Sequence, residues 1–356
     1  MAPGDRPRSR RRPRQLTLAA AALAGAGLLS CLPAAAQAPP AAGAGPTLTT
    51  TASPPVTRRG QITDTAVLAG AIDPTGTIAF DVYGPDDPTC TGPPAAHTTR
   101  PVTGNGSYVS APYVVPMAGV YRFVAAYSGD AANAPVAAAC GDPGEAVTVT
   151  NPPAPVLGRS FQVGPLTGTI RYALPAVVAR LSLAHAAKGL GFTPLRESRT
   201  LPVGSVIDAT GGVARITSAA GGAGKVQVGD FGAGEFKVLQ DRRARGLTQL
   251  DLMIGRSIAQ ACPPAAVAGR ARTAAVRPRL SAKVLALLRA NVAGSFRTRG
   301  RFSSATVRGT NWDTVDRCDG TLTRVHRGSV VVADFRRARN IVVRTGRSYL
   351  ARAPQP

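Results

Sequence analysis

Apolar and polar residues alternate with a period of two along much of the chain, as expected for strands that bury one face. The clearest example is residues 119–127, which are followed by a Ser-Gly-Asp turn signal. One face of this segment carries Tyr121, Phe123, Ala125 and Tyr127. Similar short segments, separated by turns rich in Gly and Pro, fill residues 60–150 and much of 159–353. The pattern predicts a mainly β protein with two domains, the first of them a β-sandwich.

One segment has the spacing of a helix instead. Ser281 can cap it, Gly294 can end it, and an apolar stripe runs between them. The stripe consists of Val284, Leu285, Leu287, Leu288 and Val292. Residues 263–279 before it are Pro, Ala and Arg without apolar periodicity. We therefore expect residues 263–294 to be an exposed insertion that contains one short helix.

Two segments have too little to bury and are predicted to be linkers. Residues 37–59 are rich in Pro, Ala and Thr, which predicts an extended tether or a disordered segment of no consequence. Residues 151–158 begin Asn-Pro-Pro-Ala-Pro and predict a short, stiff connection.

The N-terminal residues have the three parts of an export signal. Six arginines precede an Ala- and Leu-rich stretch over residues 16–32, and Ala34-Ala35-Ala36 offers a cleavage site. Residues 1–36 are thus predicted to be a signal peptide, which places the protein outside the cytoplasm, secreted or in the cell envelope. A lipid on Cys31 and an uncleaved signal that spans the membrane are the alternatives.

Charge divides the remaining chain into two parts. Residues 37–155 hold 4 basic and 8 acidic residues, a net charge of −4, whereas residues 156–356 hold 32 basic and 10 acidic residues, a net charge of +22. This basicity favours attraction to polyanions or membrane surfaces. A GC-rich genome would also favour Arg over Lys, so composition alone does not establish a binding surface.

Cysteine usage agrees with export. Without Cys31, four cysteines remain, two on each side of the charge boundary. In an oxidising compartment they predict two disulfides within domains, Cys90 with Cys140 and Cys262 with Cys318. Because none lies in a CxxC motif or beside a His, we expect no metal site.

Two parts of the chain resemble known families. The segments GTIAFDVYGP (76–85), AGVYRFVAAYSGDAAN (118–133) and CGDPGEAVTV (140–149) resemble bacterial immunoglobulin-like repeats of secreted surface proteins. That likeness covers about residues 60–150 and implies a spacer or adhesion module without catalytic residues.

The second likeness covers about residues 160–352. LPVGSVIDATGGVARITSA (201–219) and GTLTRVHRGSVVVADFRRARNIVVRTGRSYLA (320–351) resemble the FecR-like extracytoplasmic β domain. The combination resembles secreted actinobacterial proteins that pair this domain with immunoglobulin-like repeats. For this protein it implies a second β domain and, as an alternative role, an extracytoplasmic sensor or regulator.

No catalytic group emerges from the sequence. None of the three His has a carboxylate or Cys at ligand spacing, so we expect neither enzymatic activity nor a cofactor, and a secreted enzyme is the third alternative. Asp313, Asp316 and Asp319 could touch calcium, but salt bridges to Arg317 and Arg324 are the simpler interpretation.

Arginines alternate with apolar residues near the end of the chain. Arg297, Arg299 and Arg301 are predicted to share one strand face, with Phe296, Phe302 and then Trp312 buried on the other. The candidate anion-binding residues are Arg297, Arg299, Arg301, Arg308, Arg324 and Arg327. Missing stacking aromatics argue against nucleic acid. The expected role is a non-catalytic surface protein whose basic domain binds anionic wall polymers or polysaccharides.

Overall fold

The computed structural model describes residues 45–179, 191–222, 224–254, 258–262 and 280–354. The predictions for the signal peptide, for Cys31 and for residues 263–279 lie outside these residues. Within them, no helix combines the length and the apolar character needed to cross a membrane. Strands dominate both domains, which confirms the prediction of a mainly β fold.

The first domain is a sandwich of short strands. In chain order they are β1 (Thr47–Ala52), β2 (Val56–Thr57), β3 (Gln61–Ile62), β4 (Asp64–Ala69), β5 (Thr77–Tyr83), β6 (Ala96–Pro101), β7 (Gly106–Val109), β8 (Tyr113–Val114), β9 (Gly119–Tyr127), β10 (Val136–Ala137) and β11 (Ala146–Thr150). One sheet has the order β1-β4-β7 and the other β2-β11-β9-β5-β6, with β10 added to β9 and with β3 paired to β8. Leu68 of the first sheet packs against Phe80 and Tyr127 of the second.

The sandwich begins earlier than the sequence indicated. β1 pairs along its whole length with β4, and β2 runs parallel to β11, so the prediction of a linker up to Arg59 is wrong from Thr47 onwards. Leu48 is the only large apolar residue of β1 and packs on the core. A Thr-rich strand at a sheet edge buries little of its own, and its pairing with β4 supplies the stabilisation that its sequence does not show.

A turn that follows β9 is tied by hydrogen bonds to the loop that precedes β5. Both carboxylate oxygens of Asp130 accept hydrogen bonds, including those from the Thr75 amide and from the Tyr127 hydroxyl. The Thr75 amide, followed by the other donors, holds the pKa of Asp130 well below its usual range.

A pair of buried carboxyl groups lies beside β1. Glu145 and Asp64 are both fully buried, and Glu145 accepts a hydrogen bond from the Thr50 hydroxyl while its Oε2 atom has no partner. Burial, followed by the charges of Asp64 and Asp142, raises the pKa of Glu145 to about 8. Burial likewise raises the pKa of Asp64 to about 6. Both carboxyl groups therefore stay protonated to a higher pH in the folded domain than in the unfolded chain.

In the part of the chain that the structure describes, the second domain contains the remaining strands and two short α-helices. They are β12 (Ser160–Ala173), α1 (Pro175–Val178), β13 (Thr193–Pro194), β14 (Arg199–Pro202), β15 (Val206–Ala219), β16 (Val226–Gly232), β17 (Glu235–Gln240), β18 (Thr248–Leu252), α2 (Ile258–Ala261), β19 (Val284–Arg299), β20 (Ser303–Arg317), β21 (Gly320–Arg327), β22 (Ser329–Asp334), β23 (Arg339–Arg344) and β24 (Ser348–Arg352).

Five of these strands close on themselves. β15 pairs with β16 and β17, β17 pairs with β18, and β19 pairs with both β16 and β18, so the hydrogen bonds return to the starting strand. Phe231, Phe236 and Phe296 fill the interior, with ring centroids 5.8 and 5.5 Å apart for successive pairs. The result is a small barrel whose flanks are extended by β12 on one side and by β20 on the other.

A ring of buried polar groups, here called the polar plug, closes one end of this barrel. Its side chains are Ser218, Gln227, Gln240 and Thr248, one from each of four strands. The Thr248 hydroxyl bonds Ser218 at 2.7 Å and accepts from both glutamine amides at 3.1 and 3.0 Å. The fifth strand takes part through the Ser295 amide, which donates to Gln227 Oε1 at 2.7 Å. Every strand of the barrel is therefore joined to the same network.

The predicted helix over residues 281–294 is a strand. Leu288, Ala290 and Val292 are buried while Arg289, Asn291 and Ala293 are exposed, which is the period of β19 and not of a helix. The apolar residues fit both periods, and pairing with β16 and β20 decides between them. The expected exposed insertion therefore cannot extend to Gly294.

Both predicted disulfides are present. Cys90 is bonded to Cys140 in the first domain, and Cys262 to Cys318 in the second. The second bond fixes the end of α2 to the β20–β21 turn, and so it pins one end of the segment that leads into β19.

The two domains meet through hydrogen bonds that main-chain amides donate. The Thr57 amide donates to Glu197 Oε2 at 2.8 Å, and the Ser198 amide donates to the Arg58 carbonyl at 2.9 Å. The predicted second linker is also held, because Gln162 Nε2 donates to the carbonyl oxygens of Pro152 and Pro153. Residues 57–59 of the sandwich thus lie along residues 196–198 of the second domain.

The buried carboxyl pair predicts that the sandwich loses stability as the pH rises. A carboxyl group with a raised pKa stabilises the fold fully below its ordinary value near 4.5, and this stabilisation is lost as the pH approaches 8. We expect Glu145→Gln, which keeps the acceptor for Thr50, to flatten this dependence. Thermal unfolding of both proteins at pH 5, 6.5 and 8 measures it. A midpoint that changes with pH equally in both would contradict the prediction.

The polar plug predicts an unequal cost for two glutamine substitutions. Gln227→Ala leaves the Ser295 amide without its partner and leaves the Gly246 carbonyl with Gln240 as its remaining side-chain amide donor, and we expect the unfolding free energy to fall by about 2 kcal/mol. Gln249→Ala on the outer face of β18 is the control, with an expected change of about 0.5 kcal/mol or less. Urea unfolding measures both, and equal losses would show that the plug has no special role.

Candidate anion-binding cleft

A cleft of about 780 Å³ opens where the plugged end of the barrel meets the paired strands β20 and β22. Arg243, Arg245 and Leu247 line one side of it, and Thr306 and Val331 line the other. Among the described residues that line it, none carries a carboxylate, an imidazole or a thiol. The cleft therefore presents positive charge, hydroxyl groups and some apolar surface.

The turn between β17 and β18 presents the two arginines. Asp241 begins it by accepting a hydrogen bond from the Arg243 amide at 2.9 Å, and one 3-10 turn follows over Arg242–Ala244. Arg245 then adopts a left-handed backbone conformation with φ of 49°, which reverses the chain into Gly246. Both arginine side chains are exposed. Their position results from a backbone reversal and not from a strand face.

The polar plug binds the main chain at the end of this turn. The Gly246 carbonyl accepts hydrogen bonds from the side-chain amides of Gln227 and Gln240. Gln227 also binds the amide of Ser295, which itself lines the cleft. The same buried network therefore fixes both the arginine turn and the opposite wall, so the cleft is preformed.

Two of the predicted arginines keep the predicted strand face, and one of them borders this cleft. Arg297 and Arg299 share the outer face of β19, as the alternation predicted, with Phe296 fully buried on the other face. Arg297 Nε donates to the Thr306 hydroxyl at 3.0 Å and thus borders the cleft wall. The Arg299 guanidinium lies 5.4 Å from the ring centroid of Phe335.

Arg301 does not continue that face. β19 ends at Arg299, and the Gly300 amide bonds the Ser303 carbonyl to form a turn. The Arg301 amide donates to Asp316 at 3.0 Å, and its guanidinium lies 4.7 Å from the ring of Phe302. The period of two stops at this turn, which is why the prediction of three arginines on one strand is wrong.

Arg324 and Arg327 lie on β21, which pairs with residues 311–317 of β20. Arg324 is opposite Asp313, whose carboxylate also contacts Arg289 at 3.3 Å and His326 at 3.0 Å. Arg327 is opposite Asn311, five residues along β20 from Thr306. The side chain of Arg308 lies outside the described residues. The six predicted arginines therefore do not form one surface.

The three aspartates considered as calcium ligands contact different partners. Asp313 bonds Arg289 and His326, Asp316 bonds Thr321 and the Arg301 amide, and Asp319 bonds Arg317. In the part of the chain that the structure describes, no three carboxylate, imidazole or thiol groups gather into a metal-binding cluster.

Comparisons with known proteins do not assign this chain to a family. No family model and no curated protein matches this chain. A crystal structure of Salmonella alpha-2-macroglobulin reacted with methylamine aligns with 85% of this chain and 23% of its own, at 11% identity and a TM-score of 0.18. At that TM-score the likeness carries no argument about fold or function.

The sequence reasoning missed Arg243 and Arg245. They belong to the run Asp-Arg-Arg-Ala-Arg-Gly, in which Asp can cap a turn and Gly permits a left-handed reversal. This signal marks a tight basic turn. It does not show that residues 60 positions further along the chain form the opposite wall.

The left-handed Arg245 predicts opposite effects of glycine at two neighbouring positions. Arg245→Gly relieves an unfavourable φ, so we expect the unfolding free energy to stay level or rise by up to about 1 kcal/mol. Arg243→Gly only adds freedom to the unfolded chain and should cost about 0.5 to 1 kcal/mol. Chemical denaturation distinguishes them, and a larger loss in Arg245→Gly would show that its side chain is structural.

Proposed function

We propose that this protein is an exported, non-catalytic envelope or surface protein that holds anionic polymers in the cleft of its second domain. The observation that supports this proposal most directly is that two exposed arginines line a preformed cleft in which no described lining residue is acidic. Guanidinium groups bind phosphate and carboxylate through paired hydrogen bonds. The first domain serves as a spacer or adhesion module, in line with its likeness to immunoglobulin-like repeats.

Charge supports a polymeric rather than a small ligand at this cleft. The second domain carries a net charge of +22, which attracts polyanions over a distance of about one Debye length, roughly 8 Å at physiological salt. Arg297 borders the cleft beyond Thr306, so a second cationic contact lies along the same wall. An extended chain of repeated anions can engage both, whereas a single anion uses only one.

The two disulfides support the proposed location. Both bonds join cysteines within one domain, and such bonds persist in oxidising compartments. The signal-like N-terminal sequence and the likeness to secreted actinobacterial proteins point the same way.

A sensor or regulatory role of the FecR-like kind is the second candidate. The observation that favours it is the hydrogen-bonded joint between residues 57–59 and 196–198, because a ligand that changed this joint would alter the relation of the two domains. An envelope partner that binds only one liganded state would support that role.

The cleft predicts selective loss of polymer binding. We expect Arg243→Ser with Arg245→Ser to weaken binding of the whole mature chain to poly(glycerol phosphate) by at least about tenfold, or about 1.4 kcal/mol. The control, Arg337→Ser with Arg339→Ser, removes the same charge from exposed positions on the β22–β23 hairpin and should cost about threefold or less. Titration at two ionic strengths measures both. Equal losses in the two variants would reduce the attraction to bulk charge and reject the cleft.

A further inference from the structure

A second cleft, of about 480 Å³, lies at the joint between the two domains. Arg59 and Gln61 come from the sandwich, and Arg196 comes from the second domain. Residues 165–170 of β12 form the remaining wall. No described lining residue is acidic, so two cationic side chains from different domains face one enclosed space.

Two irregularities in β12 shape this wall. The register of β12 against β15 shifts between Pro165 and Thr167, which leaves Leu166 as an extra residue of β12. It shifts again between Thr169 and Arg171, where Ile170 of β12 faces two residues of β15, Ala209 and Thr210. Such bulges break the ladder and recur beside binding sites. Between them, Gly168 has φ of 65°, and an added Cβ would lie 2.2 Å from the Gly211 carbonyl oxygen, so only glycine fits there.

The bulged segment also offers hydroxyl groups. Thr167 and Thr169 are exposed, line the cleft, and make no side-chain hydrogen bond within the described part of the protein. They can therefore donate to a ligand. Together with the Gln61 amide and two guanidinium groups, they form a set of donors, in which Arg59 Nη1 donates one long hydrogen bond of 3.5 Å to the Pro165 carbonyl oxygen.

The charge around Arg59 is not balanced by the protein. Burial, followed by the positive charges of Arg215 and Arg58, lowers the pKa of Arg59, and only Asp230 opposes this effect. Asp230 is already engaged by Arg215 through two hydrogen bonds of 2.8 and 2.9 Å. Glu197, beside Arg196, is held by the Thr57 amide and by Arg199. A bound anion would supply the missing negative charge.

We propose that this inter-domain cleft binds a small molecule through one phosphate or carboxylate group, held between Arg59 and Arg196 and by the hydroxyls of Thr167 and Thr169. The cleft lies within the size range of pockets for small ligands. Because its two cations belong to different domains, the bound anion fastens the sandwich to the second domain. The site is separate from the polymer cleft and does not depend on it.

Calorimetric titration of the whole mature chain tests the site with three probes: inorganic phosphate, glycerol phosphate and glucuronate. We expect saturable binding of at least one organic anion, and the preferred probe distinguishes a phosphate from a carboxylate ligand. Arg59→Gln with Arg196→Gln should weaken this binding at least tenfold. The charge-matched control, Arg337→Gln with Arg339→Gln, changes exposed arginines that do not line the cleft and should bind within about twofold of the wild type.

Two further variants keep the test decisive. Thr167→Val with Thr169→Val changes no charge and only exposed positions, so the protein should stay folded while binding falls several-fold. Arg243→Ser with Arg245→Ser should bind the small anion as the wild type does, which separates this site from the proposed polymer cleft. Absence of saturable binding, or equal losses in the Arg59/Arg196 and Arg337/Arg339 variants, would overturn the proposal.

Discussion

The buried polar plug is the constraint on which the second domain depends. Four side chains and one amide, one from each barrel strand, satisfy each other where water is excluded. A buried polar group without a partner costs about 1 to 3 kcal/mol, so the network tolerates only the arrangement in which all five strands are in register. Phe231, Phe236 and Phe296 supply the burial, but apolar contacts alone would allow many registers.

The two proposed binding sites lie where regular strands stop. The proposed polymer cleft owes its arginines to a left-handed reversal after β17, and the inter-domain cleft owes its wall to two register shifts between β12 and β15. Main-chain groups freed from the ladder and side chains turned out of the sheet gather at such points. The regular faces of β19 and β20, by contrast, match most of their arginines with carboxylate, amide or aromatic partners.

The two domains divide the electrostatic roles. The sandwich is acidic and buries two carboxyl groups with raised pKa values, so mild acid stabilises the attachment of its first strand. The second domain is basic, and no described lining residue of either cleft is acidic. One cleft lies between distant strands of the second domain, and the other lies between the two domains. Net charge alone does not distinguish the proposed polymer site from the proposed site for a single anion. The two proposals rest on the residues that line each cleft.

The sequence by itself determined the mainly β class, the strand of residues 119–127, the burial of Phe296 and Trp312 and both disulfide pairings, because period-two alternation and cysteine counting are local or nearly local signals. Tertiary structure decided the rest. Pairing turned the helix-like stripe of residues 284–292 into β19 and recruited β1 from a segment resembling a linker. It also brought Arg245 within one cleft with Thr306, and Arg59 with Arg196. Such contacts join residues far apart in the chain, and no local pattern encodes which strand closes a barrel.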